Sequence, residues 1–263
     1  MNAAIDELAF LANSSNRVEI LDALADAPRT RYDLLEQTEI SRVTLGRILR
    51  ELENRRWIVR RDREYRLTPL GEWICDEFTD VVEAVEAEHQ LREAVRWLPS
   101  ELVTFDVRCL RGAEVILLDG ADMTKLERRI LEFHRSGEWI RGFARGVSPE
   151  AVENHWELAL YEGTRIEMVV TPDTLDALQN DPPSVQRFRD LLDHHRAHYL
   201  LYEDVPLSVG IVDDTVGITL TDERGIPQGG VATDNEAVYE WAVDLFETYW
   251  EKAEVIDPDL LTE

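Results

Sequence analysis

The chain has 263 residues, 44% of them hydrophobic, and a formal net charge of −26 from 54 acidic and 28 basic side chains. This length is enough for two domains with cores of their own. A protein this acidic is repelled by nucleic acid over most of its surface, so binding to DNA would require a local cluster of basic residues.

The cysteine and lysine content indicates the cellular environment of the protein. Cys75 and Cys109 lack metal-type spacing, and no apolar run approaches the roughly 18 residues of a membrane span. We therefore expect a cytoplasmic protein with reduced thiols and with no cofactor, metal or membrane partner. Lys125 and Lys252 are its only lysines. This scarcity, with the acidity, resembles proteins of halophiles that keep molar salt in the cytosol.

The N-terminal part of the chain predicts a run of short helices. Residues 3–12 form an amphipathic helix, and Ser14 or Ser15 caps a second helix that ends at Ala27–Pro28. Thr30 can begin another short helix, and the apolar Ile40 lies in the turn after it. A helix pair joined by such a tight turn is typical of a helix-turn-helix.

The next helix begins at Ser41, a residue that favours the N-cap position. One face carries apolar residues at the spacing of a buried stripe, namely Leu45, Ile48, Leu49 and Leu52. The opposite face carries Val43, Arg47, Arg50 and Asn54, flanked by Thr44 and Gly46. Arginine, asparagine, threonine and small apolar groups are those that recognise base edges in a major groove. The alternative is an ordinary solvated helix face.

A small wing follows that helix. Two β-prone runs, residues 57–60 and 65–67, flank the polar turn at residues 61–64. Nine arginines outnumber four acidic residues between positions 40 and 66. The whole domain, residues 1–67, is therefore predicted to be a winged helix-turn-helix that binds double-stranded DNA. The residues expected at the DNA are Thr30, Arg31, Tyr32, Ser41, Arg42, Val43, Thr44, Arg47, Arg50, Asn54, Arg60, Arg61 and Arg63.

Residues 68–98 predict one long helix that begins at Pro69, the first helical position, where a missing N–H costs nothing. Its apolar stripe includes Leu70, Ile74, Phe78, Val81, Val82 and Val85. We expect this helix to link two domains and to form a homodimer, because paired helix-turn-helix units bind two half-sites. The alternative is that it packs only on its own second domain.

Residues 99–263 alternate between β-prone and helical segments and predict an α/β domain with a mixed sheet, so the whole chain is α+β. The predicted strands are residues 102–107, 115–118, 139–144, 166–170, 199–202, 207–212 and 215–220. The predicted helices are residues 124–135, 148–162, 174–179, 184–195 and 235–251. Asp213-Asp214 and Asp222–Gly225 are predicted hairpin turns, and Gly229-Gly230 a turn or bulge.

The winged helix, the long helix and segments such as Phe105–Leu110, Trp139–Ala144, Ile166–Pro172 and Leu207–Asp213 together resemble haloarchaeal transcription regulators. These are similar to the TrmB sugar-responsive regulators and to the methanogen filament-regulator family. The resemblance implies a C-terminal effector sensor with a phospholipase-D-like fold. Enzymes of that fold carry His-x-Lys, which this sequence lacks, so no catalytic residue is expected.

The effector, a sugar phosphate or another organic anion, is expected where strand ends converge, at Arg141, Phe143, Arg145, Thr171 and Asp173. Arg141 and Arg145 could equally be surface ion-pair partners. Two other functions stay open. Asp190, His194 and His198, at i, i+4, i+8, could hold a metal for an enzyme, although solvated residues are the simpler interpretation. The winged helix could also bind a protein.

Overall fold

The computed structural model describes residues 2–118, 123–179 and 181–261. It separates into two compact units, Met1–Glu86 and Ala87–Glu263. This boundary falls within the long helix, so the three-part division at residues 67 and 98 stays a prediction. No helix among the described residues is long and apolar enough to cross a membrane.

The first unit is a winged helix-turn-helix, as predicted. Its elements are α1 (Asn2–Ala12), α2 (Ser15–Asp26), β1 (Arg29–Thr30), α3 (Arg31–Gln37), α4 (Arg42–Asn54), β2 (Ile58–Arg61), β3 (Glu64–Leu67) and α5 (Pro69–Leu91). The wing is a three-stranded antiparallel sheet in the order β1-β3-β2. The two-residue strand β1 was not predicted, because its only partner is the distant β3.

Side-chain caps fix where α3 and α4 begin. Thr30 and Asp33 form a capping box, each side chain accepting from the backbone N–H of the other. The Ser41 hydroxyl accepts from the Thr44 N–H at 3.2 Å. Ser14 occupies the N-cap of α2 but makes no side-chain cap hydrogen bond. The predicted stripe of α4 is fully buried, together with Ile40 in the turn.

The long helix α5 leaves the winged helix through a close backbone contact. A Cβ at Gly71 would lie 1.9 Å from the carbonyl oxygen of Trp57, so only glycine fits there. Further along, Cys75 and Phe78 are buried. The later valines of the predicted stripe are exposed instead, with Val81 at 51% and Val85 at 50%. Part of this apolar face therefore has no cover within the described residues.

The second unit contains the predicted mixed sheet, which has eight strands among the described residues, whereas the sequence predicted seven. Its strands are β4 (Glu114–Leu117), β5 (Trp139–Ala144), β6 (Arg165–Val170), β7 (Ala197–Leu201), β8 (Ser208–Val212), β9 (Thr215–Thr221), β10 (Pro227–Thr233) and β11 (Glu254–Val255), in the order β11-β7-β6-β5-β8-β9-β10-β4. The pairs β5–β6 and β6–β7 are parallel and the others antiparallel.

Helices pack on both faces of this sheet over two apolar clusters. They are α6 (Thr124–His134), α7 (Pro149–Glu157), α8 (Pro172–Leu178), α9 (Pro182–Leu192) and α10 (Glu236–Lys252). A π-helical turn, Leu158–Glu162, continues α7, and short 3-10 helices occupy Val95–Trp97, Val107–Leu110 and Pro258–Leu261. The burial of both faces explains why the last three residues of β6, Met168–Val170, are all apolar.

One predicted strand of this unit is wrong. Residues 102–107 form no strand. Their apolar side chains pack against other side chains, and their backbone does not join a ladder of strand hydrogen bonds. The Trp241 indole donates to the Leu102 carbonyl oxygen at 2.8 Å, and the Phe105 and Trp241 rings lie edge to face. Gly229 and Gly230 form no turn but lie within β10, where Gly229 allows the Ile116 carbonyl to approach closely. The register of β10 against β9 shifts between Pro227 and Gly229, which agrees with the alternative prediction of a bulge.

Candidate DNA-binding surface and ligand cavity

The outer face of α4 is exposed where the sequence predicts contact with DNA. Val43 is 83% exposed, and Arg42, Arg47, Arg50 and Asn54 are exposed around it. Two of these arginines have partners on their own helix, since Arg47 donates to Glu51 at 2.9 Å and Arg50 to the Gly46 carbonyl at 3.0 Å. Each of these contacts is exposed and involves a single partner, so it is weak enough for the arginine to exchange that partner for a ligand.

Helix α3 adds to this face. The Arg31 guanidinium donates to the Arg42 carbonyl oxygen at 2.9 Å and covers Gly46, where a Cβ would lie 2.5 Å from it. Tyr32 is exposed and donates its hydroxyl to Glu36 at 2.6 Å. The hydroxyls of Thr30 and Ser41 cap α3 and α4, and the Thr44 hydroxyl lies 2.9 Å from the Ser41 hydroxyl. Thr30 and Ser41 therefore position the two helices, whereas Arg31 extends the basic face.

The wing supplies further cations. Arg61 and Arg63 are exposed and, among the described residues, have no ion-pair partner. Arg60 donates to the Asp62 carbonyl at 3.2 Å and lies 5.7 Å from the centre of the Tyr65 ring. Asp62 has a positive φ of 55° in the turn between β2 and β3. The tip of this hairpin therefore presents guanidinium groups suited to phosphate oxygens.

A cavity of about 550 Å³ lies in the second unit, beside α6 and one face of the sheet. The strand residues that line it are mostly small, since β8, β9 and β10 contribute Ser208, Gly210, Gly217, Thr219, Thr221, Gly230 and Ala232. On α6, Leu126, Ile130 and Phe133 line the same space. Small residues on three neighbouring strands leave room between the helix and the sheet. We call this space the α6 cavity.

Three of the five predicted effector residues, Phe143, Arg145 and Asp173, line the α6 cavity. The structure places the other two elsewhere. Arg141 is buried, donates to the Tyr239 hydroxyl at 2.8 Å and lies 4.1 Å from the centre of a Trp139 ring. Thr171 is buried and donates to the Arg145 carbonyl oxygen at 2.5 Å. It therefore fixes the backbone of a lining residue without facing the ligand space.

A buried polar chain that the sequence did not predict reaches the wall of this cavity. Nε2 of His155 lies 2.9 Å from Nδ1 of His134, and Nδ1 of His155 lies 2.7 Å from the Tyr199 hydroxyl. Both histidines line the α6 cavity. Burial lowers the pKa of His134 to about 4. Burial and the neighbouring ring lower the pKa of His155, so both rings are neutral near neutral pH.

The metal site considered from the sequence depended on a continuous helix through Asp190, His194 and His198. Helix α9 ends at Leu192, and His198 lies on β7 opposite Glu167. Asp190 accepts from the Trp156 indole at 3.1 Å. The three groups therefore do not share one helix face. Within the described residues, no group of three His, Cys, Asp or Glu side chains is placed to hold a metal ion.

Comparison with known families gives two matches on this chain. The model of the HVO_A0261 N-terminal domain matches residues 5–90. The model of the middle domain of the methanogenesis regulatory protein FilR1 matches residues 123–252. No protein with a curated function matches the sequence.

Solved structures give more distant similarities. TrmBL2, an archaeal chromatin protein described with a novel mode of DNA binding, is 18% identical, with 90% of this chain and 91% of that chain covered and a TM-score of 0.45. Nuc, a phospholipase D family member from Salmonella typhimurium, is 13% identical, with 55% and 97% covered and a TM-score of 0.42. NucT from Helicobacter pylori is 10% identical, with 55% and 98% covered and a TM-score of 0.43.

Proposed function

We propose that this chain, which matches the HVO_A0261 N-terminal domain and the FilR1 middle domain, is a DNA-binding transcription regulator whose activity a small molecule controls. The observation that carries this proposal is the exposed face of α4. Its arginines surround the exposed Val43 in the one strongly basic stretch of a chain with net charge −26.

This face suits the major groove of DNA. A guanidinium group can donate two hydrogen bonds to guanine, and a valine methyl can contact the thymine methyl. Arg47 and Arg50 would leave Glu51 and the Gly46 carbonyl and bind base edges, while Arg61 and Arg63 on the wing bind phosphates. Contacts to phosphate weaken as salt rises, so in molar salt the base contacts carry a larger share of binding.

The effector would bind in the α6 cavity, whose volume of about 550 Å³ lies in the range of small-molecule sites. Arg145 and Asp173, both predicted from the sequence, line it. Binding there would shift DNA affinity only if the ligand favours one of two states of the protein, by about 1–3 kcal/mol in a typical regulator. Two copies of α5 would pair through their exposed valines and present two winged helices to neighbouring half-sites.

The test is a binding assay with the purified protein in potassium chloride from low to molar concentration. Duplexes selected from a random pool, and the DNA upstream of its own gene, are compared with unselected duplex. The double variant Arg47→Ala, Arg50→Ala is expected to lose about 2–6 kcal/mol of discrimination, the loss of two base-recognising arginines. The matched control is Arg135→Ala, Arg187→Ala, which removes two ion-paired arginines from the second unit.

Each outcome decides the proposal. Selective binding by the wild type and the control, lost in the α4 variant, supports the assigned recognition face. Equal loss in the control variant would mean that only net charge matters. If the selected pool shows no enrichment and the wild type prefers no duplex, the DNA-binding function is wrong, and a protein partner for the winged helix takes its place.

A further inference from the structure

We infer that the α6 cavity binds an organic acid with an apolar body and a single anionic group, and this inference rests on the proposed effector function. A free sugar or sugar phosphate fits the cavity less well. The structure supports this ligand class through three features: the order of residues along the strands, the charges at one end and the apolar cover from α6.

The strand register separates a polar end from an apolar end. Ser208 pairs with Thr219, and Thr221 lies two residues further along β9. In the other direction come Gly210 and Gly217, which also pair with each other. From Thr221 to Gly217 the strand advances roughly 13 Å, at about 3.3 Å for each residue. Hydroxyl groups therefore line one end of an elongated site and glycines the other.

Cations gather at the hydroxyl end. Arg145 follows the last residue of β5, and its backbone N–H donates to the Ser208 hydroxyl at 3.1 Å. Its guanidinium lies 3.5 Å from where a Cβ on Gly225 would be, in the turn that also carries Arg224. Arg224 is exposed and, among the described residues, its side chain has no ion-pair partner. The two guanidinium groups thus flank the same end of the cavity.

The first turn of α7 lies at this end as well. Ser148 caps that nine-residue helix and lines the cavity, so the positive end of the helix dipole favours an anion there. Opposing charges are Asp173, which lines the cavity, Asp222 and Glu223, which share the turn with Arg224, and Asp204, which is 70% exposed and 3.7 Å from Arg145. A contact this long and exposed is weak, so a ligand anion can replace Asp204 as the partner of Arg145.

The other end is closed by apolar groups, a neutralised ion pair and one imidazole nitrogen, Nε2 of His134, which lies 3.5 Å from where a Cβ on Gly210 would be. Phe133 approaches both Gly210 and Gly217, and Leu126 approaches Gly230. Arg129 and Glu114, which also line the cavity, pair with each other, so only Glu127 adds an unbalanced charge on α6. A sugar ring placed against these surfaces would lose more hydrogen bonds to water than it could regain from Nε2 of His134. An aliphatic or aromatic body would instead gain from removal of apolar surface from water.

The probe for the test is 8-anilinonaphthalene-1-sulfonate, which combines an aromatic body with one anionic group and fluoresces in apolar sites. The full-length protein in molar potassium chloride is titrated with the probe, which is then displaced by octanoate, octanol or glucose 6-phosphate. Octanoate is expected to displace it at a concentration at least tenfold lower than either of the other two. Arg145→Gln should remove this preference for octanoate over octanol, and Arg145→Lys should restore part of it.

Two further variants control for folding and location. Arg187→Gln removes an exposed, ion-paired arginine of the same unit and should leave the preference unchanged. Thr219→Leu adds bulk to the face of β9 that lines the cavity, so it should weaken displacement of the probe by all three compounds. Thr215→Leu, on the same face but not lining the cavity, should weaken none. Circular dichroism confirms that each variant is folded before it is compared.

The outcomes separate this inference from the function it rests on. If glucose 6-phosphate competes as well as octanoate, or octanol equals octanoate, or nothing including the probe binds, the ligand class is wrong. If octanoate binds with the expected dependence on Arg145 but leaves DNA affinity unchanged, the ligand class holds and the effector role fails. Binding that also changes DNA affinity severalfold supports both.

Discussion

Nε2 of His155 lies 2.9 Å from Nδ1 of His134, so a hydrogen bond between these two neutral, buried rings requires that only one of the nitrogens carries a proton. The Tyr199 hydroxyl, 2.7 Å from the other nitrogen of His155, extends the chain into the core. Burial raises the pKa of Tyr199, so its proton stays in this chain. Protonating both histidines would place two like charges side by side, away from water.

This pair predicts that the second unit loses stability in mild acid. An unfolded histidine has a pKa near 6.5, whereas the pKa of His134 in the folded protein is about 4. Well above pH 6.5 neither state binds a proton, so the full stability is present. Below it the unfolded chain binds protons that the folded protein does not, so stability falls until about pH 4. From pH 7 to pH 5.5 the expected loss from His134 is about 1 kcal/mol, and His155, whose pKa is lowered too, adds to it.

The measurement is urea unfolding at several pH values in that range, followed by tryptophan fluorescence. Most carboxylates titrate below this pH range, so they contribute little to the change in the free energy of unfolding. The double variant His134→Gln, His155→Gln should be less stable at pH 7 but should show a flatter pH dependence. His89→Gln, which removes an exposed histidine, should keep the wild-type slope. Equal slopes in wild type and double variant would contradict the assignment to this pair.

A second prediction concerns the cap that begins α3. Thr30→Ala removes the hydroxyl that accepts from the Asp33 N–H and is expected to cost about 1 kcal/mol in the free energy of unfolding. Thr30→Ser retains that hydroxyl and should cost little. The measurement is hydrogen exchange of the α3 amides in the full chain, because it reports the loss of stability at this helix. Equal protection in the two variants would show that the cap contributes nothing.

The winged helix could be predicted from the sequence because its signals are local. Ser41 followed by apolar residues at helical spacing is enough to define where α4 begins and which face is buried. By the same spacing Val43 and Arg50 lie on the exposed face. The hairpin turns at Asp213 and Asp222 are also local, since they depend on a few residues between two strands.

What the sequence missed depends on distant partners. Strand β10 is rich in glycine, and its pairing with β4 and β9 overrides the weak propensity of that segment. His134, His155 and Tyr199 meet only after the chain has folded. Arg141 and Phe143, two residues apart, share one face of β5, but both faces of that strand are buried. Its pattern could not indicate that Arg141 would contact Tyr239 and not the cavity.

A third prediction tests pairing of two chains through α5. Val81 and Val85 are half exposed, three and seven residues after the buried Phe78 on the same helix, so they offer apolar surface to a second copy. The double variant Val81→Asp, Val85→Asp should shift the protein from dimer to monomer in light scattering at micromolar concentration. Val255→Asp, at a valine that is 83% exposed in β11, should leave the mass unchanged. A monomeric wild type would contradict the pairing.

The last prediction concerns Glu51, which accepts from Arg17 at 3.1 Å and from Arg47 at 2.9 Å. On DNA, Arg47 must exchange this carboxylate for a base edge or a phosphate, and Glu51 itself repels the duplex. Glu51→Gln should therefore tighten binding severalfold at low salt and make the dependence of log affinity on log salt steeper by about one contact. Glu53→Gln is the matched control, because it removes the same charge from the same helix without releasing Arg47. If both variants change affinity and salt dependence equally, the gain comes from net charge alone. A larger gain for Glu51→Gln, abolished when Arg47→Ala is added, would show that release of this one guanidinium is the step that prepares α4 for DNA.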